Sequence, residues 1–241
     1  MAQHVLLNNI EHKSLRIITR RAAEYGDAVM YVATFPAEFR NLQSCYPIVF
    51  HKRQDNGAFQ PLALFGFEEG QNLFLNDSGW EASYIPLVIE RTPFLIGRGP
   101  AAGGGAPELV VHVDLASPRV STTEGEELFR EYGGTTEFLD RMTSVLSAVH
   151  EGLESTPAFV AALTDLDLLE SFVLDVDLDD GAQHRLAGFY TINEDRLRSL
   201  SGAQIAALHE RGMLAPIYMA IASMGHLRTL IERRRVRGGR A

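Results

Sequence analysis

Residues 46–94 read YPIVFHKRQDNGAFQPLALFGFEEGQNLFLNDSGWEASYIPLVIERTPF, and how this stretch pairs with itself decides the fold. Two apolar runs, Pro47-Ile48-Val49-Phe50 and residues 59–67, flank Gln54-Asp55-Asn56-Gly57. An Asn-Gly pair supplies the positive φ angles of a tight turn, so the runs are expected to form an antiparallel hairpin. Asn72-Leu73-Phe74-Leu75 predicts a third short strand, and Asp77-Ser78-Gly79 turns the chain toward Trp80. An amphipathic segment over 84–91 then stops at Pro93. The block is rich in aromatics and contains no complete catalytic constellation.

Upstream, Val5-Leu6-Leu7, Leu15-Arg16-Ile17-Ile18 and residues 29–35 predict strands, and Pro36-Ala37-Glu38-Phe39 opens a short helix with proline in its first turn. Downstream, Phe94-Leu95-Ile96 and the valine-rich 109–115 predict strands joined by the glycine run 97–105, which is expected to be a long hairpin loop. From Glu124 the pattern becomes helical: Phe138, Met142, Val145, Leu146, Val149 and Leu153 recur at three-to-four spacing. Thr156-Pro157 predicts the start of a separate helix, as N-cap and first helical residue.

Phe172, Leu174, Val176 and Leu178 alternate with Val173, Asp175, Asp177 and Asp179. That alternation predicts a half-exposed strand, turned by Asp180-Gly181 into a return strand over 185–192. Asn193 caps a short helix, Ser201 with Gln204 forms a capping box, and Gly212 ends the helix that follows. A last helix carries the stripe from Ile217 to Ile231. The expected class is α+β, with antiparallel hairpins in the strand-rich N-terminal half and helices in the C-terminal half. One domain over 1–232 and a basic flexible tail over 233–241 complete the expected organisation.

One cysteine allows no intramolecular disulfide, and the N-terminus lacks a charged lead followed by a sustained apolar run. No apolar run approaches a bilayer span, so a cytoplasmic location is the default expectation. The net charge is −9; Arg233, Arg234, Arg235, Arg237 and Arg240 carry +5, so the remainder carries −14. An acidic body disfavours extended nucleic-acid contact, because phosphate neutralisation supplies most non-specific affinity.

The short motifs are weak. The glycine run lacks the Lys-Ser/Thr of a phosphate-binding loop. The acidic run from Asp175 places Asp180 and Leu186 where a calcium-binding EF-hand loop needs Gly and Glu. His112-Val113-Asp114 puts an imidazole and a carboxylate on one face of a strand. With His150, His184 or His209 as a third ligand, and Arg185 or Arg211 for a carboxylate cosubstrate, the pair would make a ferrous-iron facial triad. A His and an Asp on a partly exposed strand is the plainer reading. No sequence motif calls for a cofactor.

Several longer runs carry a resemblance. Tyr46-Pro47-Ile48-Val49-Phe50, the FQPLALFGF run, Asn72-Leu73-Phe74-Leu75, Gly79-Trp80, Tyr84-Ile85-Pro86 and Pro93-Phe94 resemble the SapC family of bacterial proteins. So do His12, Leu15-Arg16, Ser117-Pro118-Arg119-Val120, Glu124-Gly125-Glu126 and the run from Leu186 to Glu194. The resemblance implies a genomic setting more than a chemistry. The family name derives from surface-layer gene clusters, and relatives are expected beside outer-membrane receptors, cupin-like oxygenases and flavin-dependent halogenases. It brings no catalytic residues with it, and it is separate from the identically named peptide-transporter permease.

Together these readings predict a binding or accessory protein that acts on a peptide, a small ligand or a partner enzyme. The expected groove is lined by Tyr46, Trp80 and Tyr84, with His12 and Arg16 as polar anchors. The alternative is an iron-dependent, oxygenase-like enzyme using His112 and Asp114.

Overall fold

The computed structural model describes residues 2–99, 108–177 and 183–238. In chain order the strands are β1 (His4–Leu6), β2 (Arg16–Ile17), β3 (Tyr31–Ala33), β4 (Ile48–Lys52), β5 (Phe59–Leu64), β6 (Leu75–Asn76) and β7 (Gly79–Trp80). They continue as β8 (Phe94–Gly99), β9 (Glu108–Asp114), β10 (Val120–Ser121), β11 (Glu126–Glu127), β12 (Leu169–Asp177) and β13 (Gln183–Ile192). The helices are α1 (Phe39–Leu42), α2 (Leu87–Glu90), α3 (Glu137–Asp165), α4 (Glu194–Arg198), α5 (Gly202–Glu210), α6 (Leu214–Ser223) and α7 (His226–Gly238). Strands dominate the first half and helices the second, so the chain is α+β as its patterning predicts.

The main sheet runs β12-β13-β4-β5-β3 with antiparallel neighbours. The β4–β5 hairpin pairs Lys52 with Phe59 and Ile48 with Ala63, as expected from the two apolar runs. Its turn differs. Of the Asn-Gly pair only Gly57 adopts a positive φ, +70°, and residues 54–57 form a four-residue loop closed by Gly57 N–H donating to Arg53 O. Residues 72–74 do not make a strand; Leu73 and Phe74 are buried and only Leu75 and Asn76 pair, with Gly79–Trp80.

The β12–β13 hairpin also forms where the alternation places it. Phe172 and Leu174 are half-buried against the core, while Val173 and Asp175 are exposed. Between Phe172↔Phe189 and Leu174↔Leu186 the return strand carries one extra residue. Gly188, at φ +84°, sits in that bulge, which lets both Leu186 and Phe189 face inward. Leu178, Asp179 and the Asp180-Gly181 turn lie outside the described residues.

A second sheet runs β1-β9-β8, and a small one runs β10-β2-β11. Phe94 pairs with Val113 and Gly99 with Glu108, so the glycine run does connect a hairpin; residues 100–107 lie outside the described ones. Two apolar clusters result. The larger gathers the main sheet, α1 and the C-terminal helices around Tyr46, Phe50, Phe65 and Ile217. The smaller gathers Ile17, Phe94, Val113, Leu128 and Met142.

Helix α3 spans both clusters, and two helical expectations are corrected there. Residues 124–136 are turns and short ladders, and the helix begins only at Glu137, with the Thr136 hydroxyl accepting from Leu139 N–H. Pro157 opens no new helix; it lies inside the continuous 29-residue α3. Proline removes the hydrogen bond to the Leu153 carbonyl, on a side of the helix where Leu153 itself is exposed. Burial on both sides of the proline holds the helix together. Leu139, Met142 and Leu146 pack into the smaller core, and Phe159, Val160 and Leu163 into the larger.

The expected last helix is two. It breaks at Met224-Gly225 into α6 and α7. The Ser223 hydroxyl accepts from Ile48 N–H at 2.8 Å and donates to Ala220 O, tying α6 to β4. By length and composition 214–237 is apolar enough to cross a bilayer. It is nevertheless broken, and its Ile217, Ala220 and Leu230 belong to the larger core.

The arginines read as a flexible tail form the last turns of α7, up to residue 238. Arg233 reaches Glu81 at 2.8 Å and lies 4.6 Å over the Phe74 ring. Arg237 donates to the carbonyls of Asn72 and Leu75. These guanidinium groups satisfy the carbonyls of the irregular 72–81 segment, which is why the helix persists.

Candidate functional site at the seam between the cores

The two cores meet along a polar seam. Asp27, 2% exposed, follows the turn at Gly26 and accepts from three sides. Its Oδ2 takes Ala22 N–H at 2.9 Å and Arg119 Nη2 at 2.6 Å; its Oδ1 takes Arg21 Nη1 at 3.3 Å. Arg119 is 1% exposed and sits in the turn after β9. Its Nη1 donates to Ile18 O and Arg20 O, and its guanidinium lies 5.4 Å over the Tyr25 ring. Arg21 also donates to Ile89 O, so the cluster ties the segment after β2 to α2. Burial and the neighbouring Arg119 charge hold the Arg21 guanidinium below its usual range.

Beside this cluster stands a chain of aromatic hydroxyls. Trp80 Nε1 donates to Tyr46 Oη at 2.7 Å, and Tyr46 Oη donates to Tyr84 O. Tyr84 Oη donates in turn to Glu38 Oε1 at 3.0 Å. Glu38, 2% exposed, also accepts from Leu87 N–H at 2.7 Å and Thr34 Oγ1 at 2.6 Å. Burial raises the Glu38 carboxyl despite these three donors. Burial likewise pushes the Tyr46 and Tyr84 phenols up. A buried carboxylate with every donor in place pins Tyr84 and the start of α2.

Between these groups lies a cavity of about 340 Å³, walled by Ile17, Arg21, Tyr84, Glu90, Arg119 and Met142 among others. Glu90 is paired with Arg141 at 2.9 Å on the same wall. The wall thus combines apolar surface from the smaller core with guanidinium, phenol and carboxylate groups. Such a mixture suits an oriented small ligand.

Of the five residues expected to form a groove, the structure brings three together. Trp80, Tyr46 and Tyr84 follow one another in one hydrogen-bond chain, but only Tyr84 lines the cavity; Tyr46 is fully buried. Arg16 sits apart, bonded to Glu127 and Gly125 O in a shallow depression. His12 is buried, and its Nδ1 accepts from Asn8 N–H at 3.1 Å, which closes a local turn.

His112 and Asp114 lie two apart on β9 as the pattern predicts. Asp114 Oδ1 accepts from Gln3 and Ala116 N–H groups, and these backbone bonds hold its carboxyl low. The His112 ring lies over Gly97. His150 faces Glu154 on α3, His209 is on α5 with Arg211 just beyond it, and Arg185 is exposed on β13. Among the described residues no three His, Cys, Asp or Glu side chains come together in a set that could hold a metal ion.

Arg21, Asp27, Glu38 and Arg119 escape a reading by motif. Asp27 and Arg119 stand 92 residues apart and meet only through the fold. The sole signal is Arg119 inside the run Ser117-Pro118-Arg119-Val120.

The chain belongs to the SapC family: the family model described as SapC matches residues 7–230. That span includes both cores and the seam and ends before Arg233. No curated protein and no solved structure matches the chain.

Proposed function

We propose that this SapC-family protein is a binding protein that takes a small ligand into the seam cavity, and that it works in the cytoplasm. The observation that carries the reading is a walled space where both cores contribute and where buried charged groups converge with apolar surface. A volume of about 340 Å³ suits a small molecule better than a peptide or a folded partner. Tyr84 is the point where the aromatic block enters the wall, and Trp80 is linked to it through Tyr46. Ligand entry is therefore expected to alter Trp80 emission.

The test is a panel of small anionic, cationic and neutral aromatic solutes, scored by thermal midpoint and Trp80 fluorescence. At least one class should stabilise the protein, and Met142→Trp, which fills the cavity, should abolish the response. An equal response in the filled variant, or none from any class, would overturn the reading.

A further inference from the structure

We propose that the seam cavity selects a small organic carboxylate, held by Arg21 and Arg119 with its apolar body against Ile17, Ile85 and Met142. This rests on the seam cavity being the ligand site.

Arg21 and Arg119 share one carboxylate, Asp27, which leaves one positive charge of the cluster uncompensated. Glu90, the acid on the cavity wall, bonds Arg141 and also acts on Arg21, so Arg21, Arg119 and Arg141 together face two carboxylates, Asp27 and Glu90. Arg119 is almost wholly buried, yet its Nε has no hydrogen-bond partner. That Nε is closed off from the cavity, so Arg119 acts there through its charge, and Arg21, the less buried of the two, makes the contact with a ligand. A guanidinium pairs with a carboxylate through parallel N–H bonds, whereas a neutral amide offers one acceptor and no charge. A single uncompensated charge matches a monoanion. The surrounding Ile17, Ile85 and Met142 suit a compact apolar body and disfavour a phosphate dianion.

Benzoate and its neutral isostere benzamide are the probes, followed by the Nε–H resonances of Arg21 and Arg119 and by thermal midpoint. Benzoate should shift both resonances saturably and bind about tenfold or more tightly than benzamide, the ratio expected for one charged hydrogen bond. Arg21→Gln should erase most of that preference, and Arg21→Lys should restore part of it. If Arg21→Gln does not fold, the wild-type resonances still decide. Equal binding of both probes, lost together in Met142→Trp, would sink the carboxylate assignment and leave the ligand reading standing. No movement of either arginine resonance at millimolar benzoate would also sink it, while the wider solute panel would judge the cavity separately.

Discussion

The two cores are built by different means. The larger rests on apolar runs that are near neighbours in the chain: Ile48, Val49 and Phe50 face Ala63, Leu62 and Pro61 across one hairpin, and all six are buried. The smaller is collected from distant pieces, with β1 beside β9, β2 between β10 and β11, and α3 laid across them. The larger core needs little beyond hydrophobic burial, at about 1.5–3 kcal/mol for each large side chain. The smaller meets it across buried ions and a cavity. Charge and space concentrate where the local pattern is weakest, and that is where a ligand can be held without disturbing the main sheet.

The most severe way to break this contrast is Asp27→Ala. It leaves Arg119 buried and Arg21 mostly buried with no carboxylate, and should cost about 3–5 kcal/mol in denaturant unfolding. The loss should be uneven. Amides of β8 and β9 should exchange much faster, while those of β4 and β5 stay protected. Equal loss of protection in both sheets would mean that the cores form one cooperative unit.

Next in size is Gly152→Ala, on α3 at the join of the two cores. A methyl group there would stand 2.2 Å from the Phe35 ring, and Phe35 is itself buried. Overpacking costs about 1–3 kcal/mol, offset by about 1 kcal/mol of helix propensity, so a net loss near 1 kcal/mol is expected. Phe35→Leu in the same chain should recover it. A stabilised single variant would show that the ring moves freely and that the join is loose.

Pro157→Ala works in the opposite direction. It restores an N–H toward Leu153 in mid-helix, where proline costs up to about 3 kcal/mol against alanine. The freer unfolded chain takes back about 0.4–1 kcal/mol, and the fold has already adapted to the proline. A gain of about 1 kcal/mol in unfolding free energy is expected in a denaturant titration. Destabilisation would mean that the ring packs usefully against the larger core.

These cases show what could be read in advance. The β4–β5 and β12–β13 hairpins, the Asn193 cap and the Ser201–Gln204 capping box were legible because each signal is local. Pro157 misled because local rules favour proline at a helix start, whereas packing on both flanks carried α3 through it. The arginines of α7 misled because their partners, Glu81 and the carbonyls of 72–75, are bonds of tertiary structure. The site was half legible. Aromatic density pointed to Tyr46, Trp80 and Tyr84, but the ions that give the cavity its chemistry lie far apart in sequence.

The smallest expected effect sets burial against hydrogen bonding at two carboxylates, Glu38 at the seam and Asp114 at the end of β9. Glu38 has its folded pKa raised above the ordinary value of 4.5, so its contribution to stability is full below that value. It is lost as pH rises through the folded pKa. Asp114 has its folded pKa lowered, chiefly by the hydrogen bond from Gln3 N–H. Its contribution is present above the ordinary value of 3.8 and is lost as pH falls through the folded pKa. The stability of wild type relative to Glu38→Gln should therefore decline from acid pH toward neutrality, while that relative to Asp114→Asn should grow. Urea titrations of the three proteins between about pH 3 and 7 measure both differences, spanning the range in which carboxylates titrate. A Glu38 difference that grew with pH would mean that the Thr34, Tyr84 and Leu87 donors outweigh burial. The seam would then hold its carboxylate charged by preference, and its electrostatic surplus would be smaller than the two arginines imply.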